Sequence, residues 1–291
     1  MKRKFKLITT MFLFATMFIS CTNEEKEIVD QSASVSSSNQ PTDRRNNSIQ
    51  LIAFNPFVNQ FVNRVLVEEY SGTWCGNCPN ILYGTQLLKQ QTNKEVSVQI
   101  HRGSDPFVTA QGNTIATQQN VYGVPTGKIN RTIDWTGPQY QNVNQVLNEI
   151  KPSSTVGLAI NSTLNSSGIL NLNIMIGTTN TAIQTKLVVY IVEDNLFFTQ
   201  ANYYANLYGG LNPIPNFEYD GVFRSAVSST LGDTILFSGN QAQKNYAISV
   251  PTNVANISNA NIVAFLIDVT TNSVLNVRKA TIGESQQLER L

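Results

Sequence analysis

The stretch "EEYSGTWCGNCPN" (residues 68–80) carries two of the chain's three cysteines, Cys75 and Cys78, with two residues between them. Two thiols at that spacing serve a metal, a haem, a static bridge or a redox couple. A closed zinc site takes about four Cys, His or acidic ligands. This chain has one histidine, His101, and no second cysteine pair. Covalent haem needs a histidine directly after the second cysteine, where Pro79 stands. A static bridge and a working redox pair remain. A bridge over so few residues removes little entropy from the unfolded chain, because that benefit grows with loop length. The pair also follows a strand-like run and opens a helix-like one, where free amide N–H groups stabilise a thiolate. On the redox reading Cys75 is exposed at the helix start and attacks, and the more buried Cys78 resolves the mixed disulfide.

Elements must hold that pair in place. "RVLVEEYS" (residues 64–71) is a β-branched and aromatic run that suits a strand, and "EVSVQIH" (95–101) alternates with period two. "CPNILYGTQLLKQQ" (78–91) has helical spacing and a proline suited to its first turn. Residues 106–123 are partly helical, "GKINRTID" (127–134) is strand and turn, and 138–151 have helical spacing. Strands alternating with helices over about a hundred residues indicate a compact α/β domain. After Pro152 the texture changes to short strand-like runs, many ending in Gly, Asn, Ser, Asp or Pro, as in a β-sandwich. Residues 199–227 form a long aromatic insertion between them. The expected fold is therefore α/β followed by all-β, with domains at 49–151 and 152–291.

The N-terminus reads as a leader. Lys2, Arg3, Lys4 and Lys6 precede a 14-residue apolar run (7–20), short for a bilayer span and suited to a signal peptide. Ser20–Cys21 resembles the processing site of a bacterial lipoprotein, in which Cys21 becomes the lipid-bearing first residue; an ordinary secretory signal is the alternative. Export permits disulfides. Residues 22–48 hold almost no large apolar side chain and read as a flexible tether. The acidic run Glu24, Glu25 and Glu27 is either a surface-export signal or a solvated head of that tether. Across all 291 residues, 20 Lys and Arg face 19 Asp and Glu, and only 13% of side chains are charged. That balance argues against a nucleic-acid partner. Neither a metal nor another cofactor is expected.

"VLVEEYSGTWCGNCP", with Trp74 before the first cysteine, resembles the active-site strand and turn of thioredoxin-like proteins. "VYGVPTGKIN" (121–130) resembles their cis-proline loop, with Pro125 between Val124 and Thr126. The resemblance implies that Val124, Pro125, Thr126 and Trp74 shape a substrate groove beside the cysteines. Glu69, six residues before Cys75, stands where that family often carries a buried acid. Burial would raise its pKa and let it take a proton from the resolving cysteine; strand alternation puts Glu68 on the opposite face. Together with "VQIHRGSDPF", "FEYDGVFRSAV" and the β-rich second half, these motifs resemble the outer-membrane-protein-28-related lipoprotein family. That resemblance implies a lipid-anchored protein of the outer membrane or cell surface.

Two functions follow as expectations. One is a lipid-anchored thiol–disulfide oxidoreductase acting on exported protein thiols or disulfides through Cys75, Cys78 and Glu69. The other is a binding or structural lipoprotein that keeps the fold as a scaffold and meets a surface ligand through its second half, since fold alone does not give activity.

Overall fold

A computed structural model describes residues 60–291. The leader, the lipid-anchor residue Cys21, the tether and the first residues expected of the α/β domain lie outside the described residues. The first part runs β1 (Val65–Ser71), α1 (Pro79–Gln91), β2 (Glu95–His101), α2 (Ala110–Gln118), β3 (Thr126–Ile129), β4 (Ile133–Trp135) and α3 (Val143–Leu147). The rest is β5 (Val156–Leu164), β6 (Ile169–Thr178), β7 (Thr185–Glu193), β8 (Leu196–Gln200), β9 (Ile214–Tyr219), β10 (Val222–Ala226), β11 (Asp233–Ile235), β12 (Gln241–Ser249), β13 (Ala260–Asp268) and β14 (Val274–Thr281). The protein is mostly β with few helices.

Local chemistry accounts for these elements. Pro79 fills the first position of α1, where a missing N–H costs nothing. The Thr109 hydroxyl caps α2 by accepting from the Gly112 amide at 2.9 Å. The helical spacing of 138–151 yields a single 3-10 turn at Gln139–Gln141 and the short α3. Asn142 breaks the run with φ −115° and ψ 31°.

The main sheet has the order β14-β13-β7-β10-β2-β1-β3-β4, with β11 also on β7. β1 and β2 are parallel, and β3 runs antiparallel to β1. The boundary expected at 151/152 therefore does not separate two sheets. β10, from the second half, lies parallel to β2 and antiparallel to β7. The nine strands form one sheet within a single compact unit. Residues 199–227, expected as an insertion, supply β10 to this sheet and the β8–β9 hairpin beside it.

Strand alternation divides the core into layers. Leu66 and Tyr70 of β1 join β2, α2, β7, β10 and β13 on one face of the sheet. Val65 and Val67 face α1, α3, Trp135 and the β8–β9 hairpin on the other. The three-stranded sheet β12-β6-β5 packs its alternate apolar residues on β7 and β13. Phe61 is fixed there by two glycines: a Cβ on Gly157 would lie 2.2 Å from its ring, and one on Gly177 2.7 Å.

Candidate functional site

Cys75 and Cys78 sit on the turn between β1 and α1 and form a disulfide. The turn is internally bonded: the Cys75 amide donates to Gly72 O at 3.0 Å and the Cys78 amide to Cys75 O at 3.1 Å. Cys75, expected exposed, is only 4% accessible, and Cys78 is fully buried. The cover comes from residues 200–204, just beyond β8. The Ala201 amide donates to Thr73 O at 2.8 Å and the Tyr203 amide to Gly76 O at 2.7 Å. Gln200 is fully buried, and its Nε2 donates to Cys75 O at 2.9 Å and to Gly72 O at 3.3 Å. Tyr219 donates its hydroxyl to Gln200 Oε1 at 2.6 Å, fixing the amide from behind. The Tyr203 ring lies over Gly76, where a Cβ would fall 2.6 Å from it. These residues form a strap across the bridge.

Aromatic residues and one carboxylate hold the surroundings. Trp74 remains half exposed, and its indole N–H donates to Arg102 O at 2.8 Å. Gly103, at φ +75°, gives the indole room that a side chain would take. Asp105 accepts from the Thr73 amide at 2.6 Å and the Phe107 amide at 2.8 Å, and pairs with His101 Nδ1 at 2.9 Å. Burial pushes the Asp105 carboxyl up, but the His101 contact and the two amides outweigh it and hold it below the usual range. His101 thus lies two bonds from the turn through Asp105, with its ring edge-on to Phe107 and Tyr219. Tyr208 anchors the β8–β9 loop on α1 by donating to Pro79 O at 2.9 Å.

The two glutamates of β1 face opposite ways. Glu68 is buried against Arg131, whose Nη2 and Nε reach its oxygens at 3.2 and 3.3 Å, and Arg131 also bonds the Tyr190 hydroxyl. Glu69 points to the helical side, where Oε1 accepts from the Thr85 hydroxyl of α1 and Oε2 has no partner. Complete burial pushes its carboxyl up to about 8, with the Thr85 bond and the Lys89 charge pulling the other way.

The Val124–Pro125 peptide bond is cis. Val124 packs against the α2 side of the core, and the Thr126 hydroxyl donates to Gly123 O at 2.9 Å. Pro125 and Thr126 join Asn77, Tyr122, Pro138 and Tyr204 around an open cavity of about 610 Å³. The structure thus brings Asn77, from between the cysteines, and the Pro125 loop to one groove. Of the groove's other wall, Pro138 had no signal in the motifs. Gln200 and Asp105 were likewise missed, while Tyr203, Tyr204 and Tyr219 belong to the aromatic run at 199–227, either a binding surface or a loop anchor by sequence. Asp105 was within reach as the acid four residues after His101, but nothing local to residues 200–219 points to Cys75.

The two sulfurs are bonded to each other and the cysteines are shielded from solvent. Once the bridge is reduced, the first amides of α1 would favour a thiolate.

The family model for outer membrane protein Omp28 matches residues 112–286, more than half of the chain. The matched region begins after the cysteine pair. No curated protein matches. Among solved structures, HBP35 of Porphyromonas gingivalis aligns over 77% of this chain and 77% of its own, with TM-score 0.62 and 13% identity. That likeness is one of fold. A domain of the outer membrane lipoprotein Omp28, also from Porphyromonas gingivalis, aligns over 45% of this chain and 89% of its own, with TM-score 0.30 and 17% identity. With its Omp28 match spanning most of the described strands, the chain belongs to the Omp28 family of outer membrane proteins.

Proposed function

We propose that the protein is an outer-membrane lipoprotein that works by binding, on a thioredoxin-like scaffold whose CxxC pair is kept as a closed disulfide. The observation that carries this reading is the strap. Cys75 is 4% accessible, and the carbonyls of Thr73, Cys75 and Gly76 all accept from residues 200–203. An exchange enzyme presents its attacking sulfur, whereas this one is covered by its own chain. The exposed aromatics Trp74, Tyr122 and Tyr203 and the groove at Pro125 then form the binding face. Lipid attachment at Cys21 would hold that face at the membrane. The test is the equilibrium reduction potential of the pair. A value below about −300 mV fits a closed structural bridge; loss of partner capture in Trp74→Ala and Tyr122→Ala with the bridge intact would support the binding face.

A second reading is thiol–disulfide exchange with exported proteins, and Glu69 favours it. A fully buried acid six residues before Cys75, with an unpaired oxygen and a pKa of about 8, is suited to taking a proton from Cys78. In that cycle Cys75 thiolate attacks a partner disulfide and releases one partner thiol. Cys78 then displaces the second, leaving the Cys75–Cys78 bridge and a reduced partner. A potential between about −120 and −270 mV would favour this reading over the first.

A further inference from the structure

We propose that residues 200–203 are a displaceable internal ligand, and that the turn they cover accepts an extended polypeptide segment of a partner. This inference rests on the reading of the face around the bridge as a binding face, and it names the partner's chemistry and the consequence of its arrival. The strap docks as an extended partner chain would. Two of its amides, on Ala201 and Tyr203, meet the carbonyls of Thr73 and Gly76. The Gln200 side chain plugs the turn by bonding Cys75 O and Gly72 O. The Tyr203 ring covers Gly76, and only a glycine leaves space for it. Main-chain bonds with side chains held in pockets are a recurring means of recognising an extended peptide, and here the carbonyls are those of the turn.

The strap is open to solvent on its outer side. The Tyr203 side chain is 73% exposed, and Gly209 and Gly210, both at positive φ, lie with open space around them in the loop that follows. Lifting it breaks the Gln200–Ile214 pair at the end of β8 and the Asn202 bonds to Leu211 and Asn212, while Leu196–Phe198 stay paired with β9. A partner segment taking the strap's place would cover the same carbonyls, and the interval between the two leaves Cys75 Sγ open. A dithiol present then attacks Cys75, the S–S bond breaks and Cys78 leaves as a thiolate. The second thiol of the reagent releases Cys75, so two electrons pass to the pair and the reagent departs as its own cyclic disulfide.

The test uses the purified full chain and dithiothreitol, with reduction followed by alkylation and mass. In the native protein the rate should level off as dithiothreitol rises, because opening of the strap becomes limiting. Gln200→Ala, which loses the side-chain bonds to the turn and to Tyr219, should raise that plateau about 10-fold or more. Tyr203→Ala alters an exposed side chain, keeps its amide and serves as the variant least disturbing to the fold; it should act in the same direction. A labelled peptide of residues 199–207, TQANYYANL, should bind Gln200→Ala about 10-fold more tightly than the native chain, in which the site is filled. Equal slow rates in all three proteins, or no peptide binding to either variant, overturn the inference while leaving the closed-bridge reading intact. A native rate that is linear in dithiothreitol and as fast as that of an exposed peptide disulfide overturns both.

Discussion

Glu69→Gln should stabilise the protein, and the gain should grow with pH. The Glu69 carboxyl is fully buried and its pKa rises from 4.5 to about 8 on folding. Between those two values the native state holds a proton that the unfolded chain has released. Stability therefore falls as pH rises through this window and levels off above about 8. The slope cannot exceed about 1.4 kcal/mol per pH unit. Over the window this gives a ceiling of about 5 kcal/mol, and water reaching the carboxylate on ionisation reduces it to about 3. Glutamine keeps an oxygen to accept from the Thr85 hydroxyl and carries no charge to desolvate. The assay is urea unfolding of both proteins at pH 5, 6.5, 8 and 9. The two should be nearly equal at pH 5, and the variant more stable by about 3–5 kcal/mol at pH 9. Other titrating groups are common to both proteins and cancel in the difference. Parallel stability curves across the range would refute the burial argument for Glu69.

Three other outcomes are expected. Arg131→Met leaves Glu68 buried without its cation and should cost about 3–5 kcal/mol in urea unfolding, most of it recovered when Glu68→Gln is added. Gly157→Ala drives a methyl into the Phe61 ring and should cost about 1–3 kcal/mol, with faster proteolysis near residue 61. Replacing both Cys75 and Cys78 by serine should cost only about 2 kcal/mol in thermal or urea unfolding, because the bridge closes so short a loop.

The local half of this structure was legible in the sequence. The β-branched and aromatic run "RVLVEEYS" placed β1, and the two-residue period of a strand separated Glu68 from Glu69. The proline after Cys78 marked the start of α1. What escaped the sequence was long-range pairing. Cys75 is covered by Gln200, 125 residues later, and no periodicity near either residue encodes that contact. The same holds for β10, whose short run "VFRSA" joins β2 through a register that only the folded sheet defines. Arg224 on that strand lies 3.2 Å from Glu193 on the neighbouring β7, a pairing set by the same register. The helix expected over 138–151 was overestimated because apolar spacing was counted while Asn142 was free to break the turn.

The entry of β10 between β2 and β7 has a consequence for biogenesis. During synthesis β1 and β2 are complete once residue 101 is made, yet the outer edge of β2 has its neighbour only when residues 222–226 arrive. Over the 120 residues between them the edge of β2, flanked by Val96, Val98 and Ile100, has no neighbour, a ready template for pairing with another copy. A truncation at residue 151 would leave that edge open for good, and should yield an aggregating fragment in place of a smaller working one.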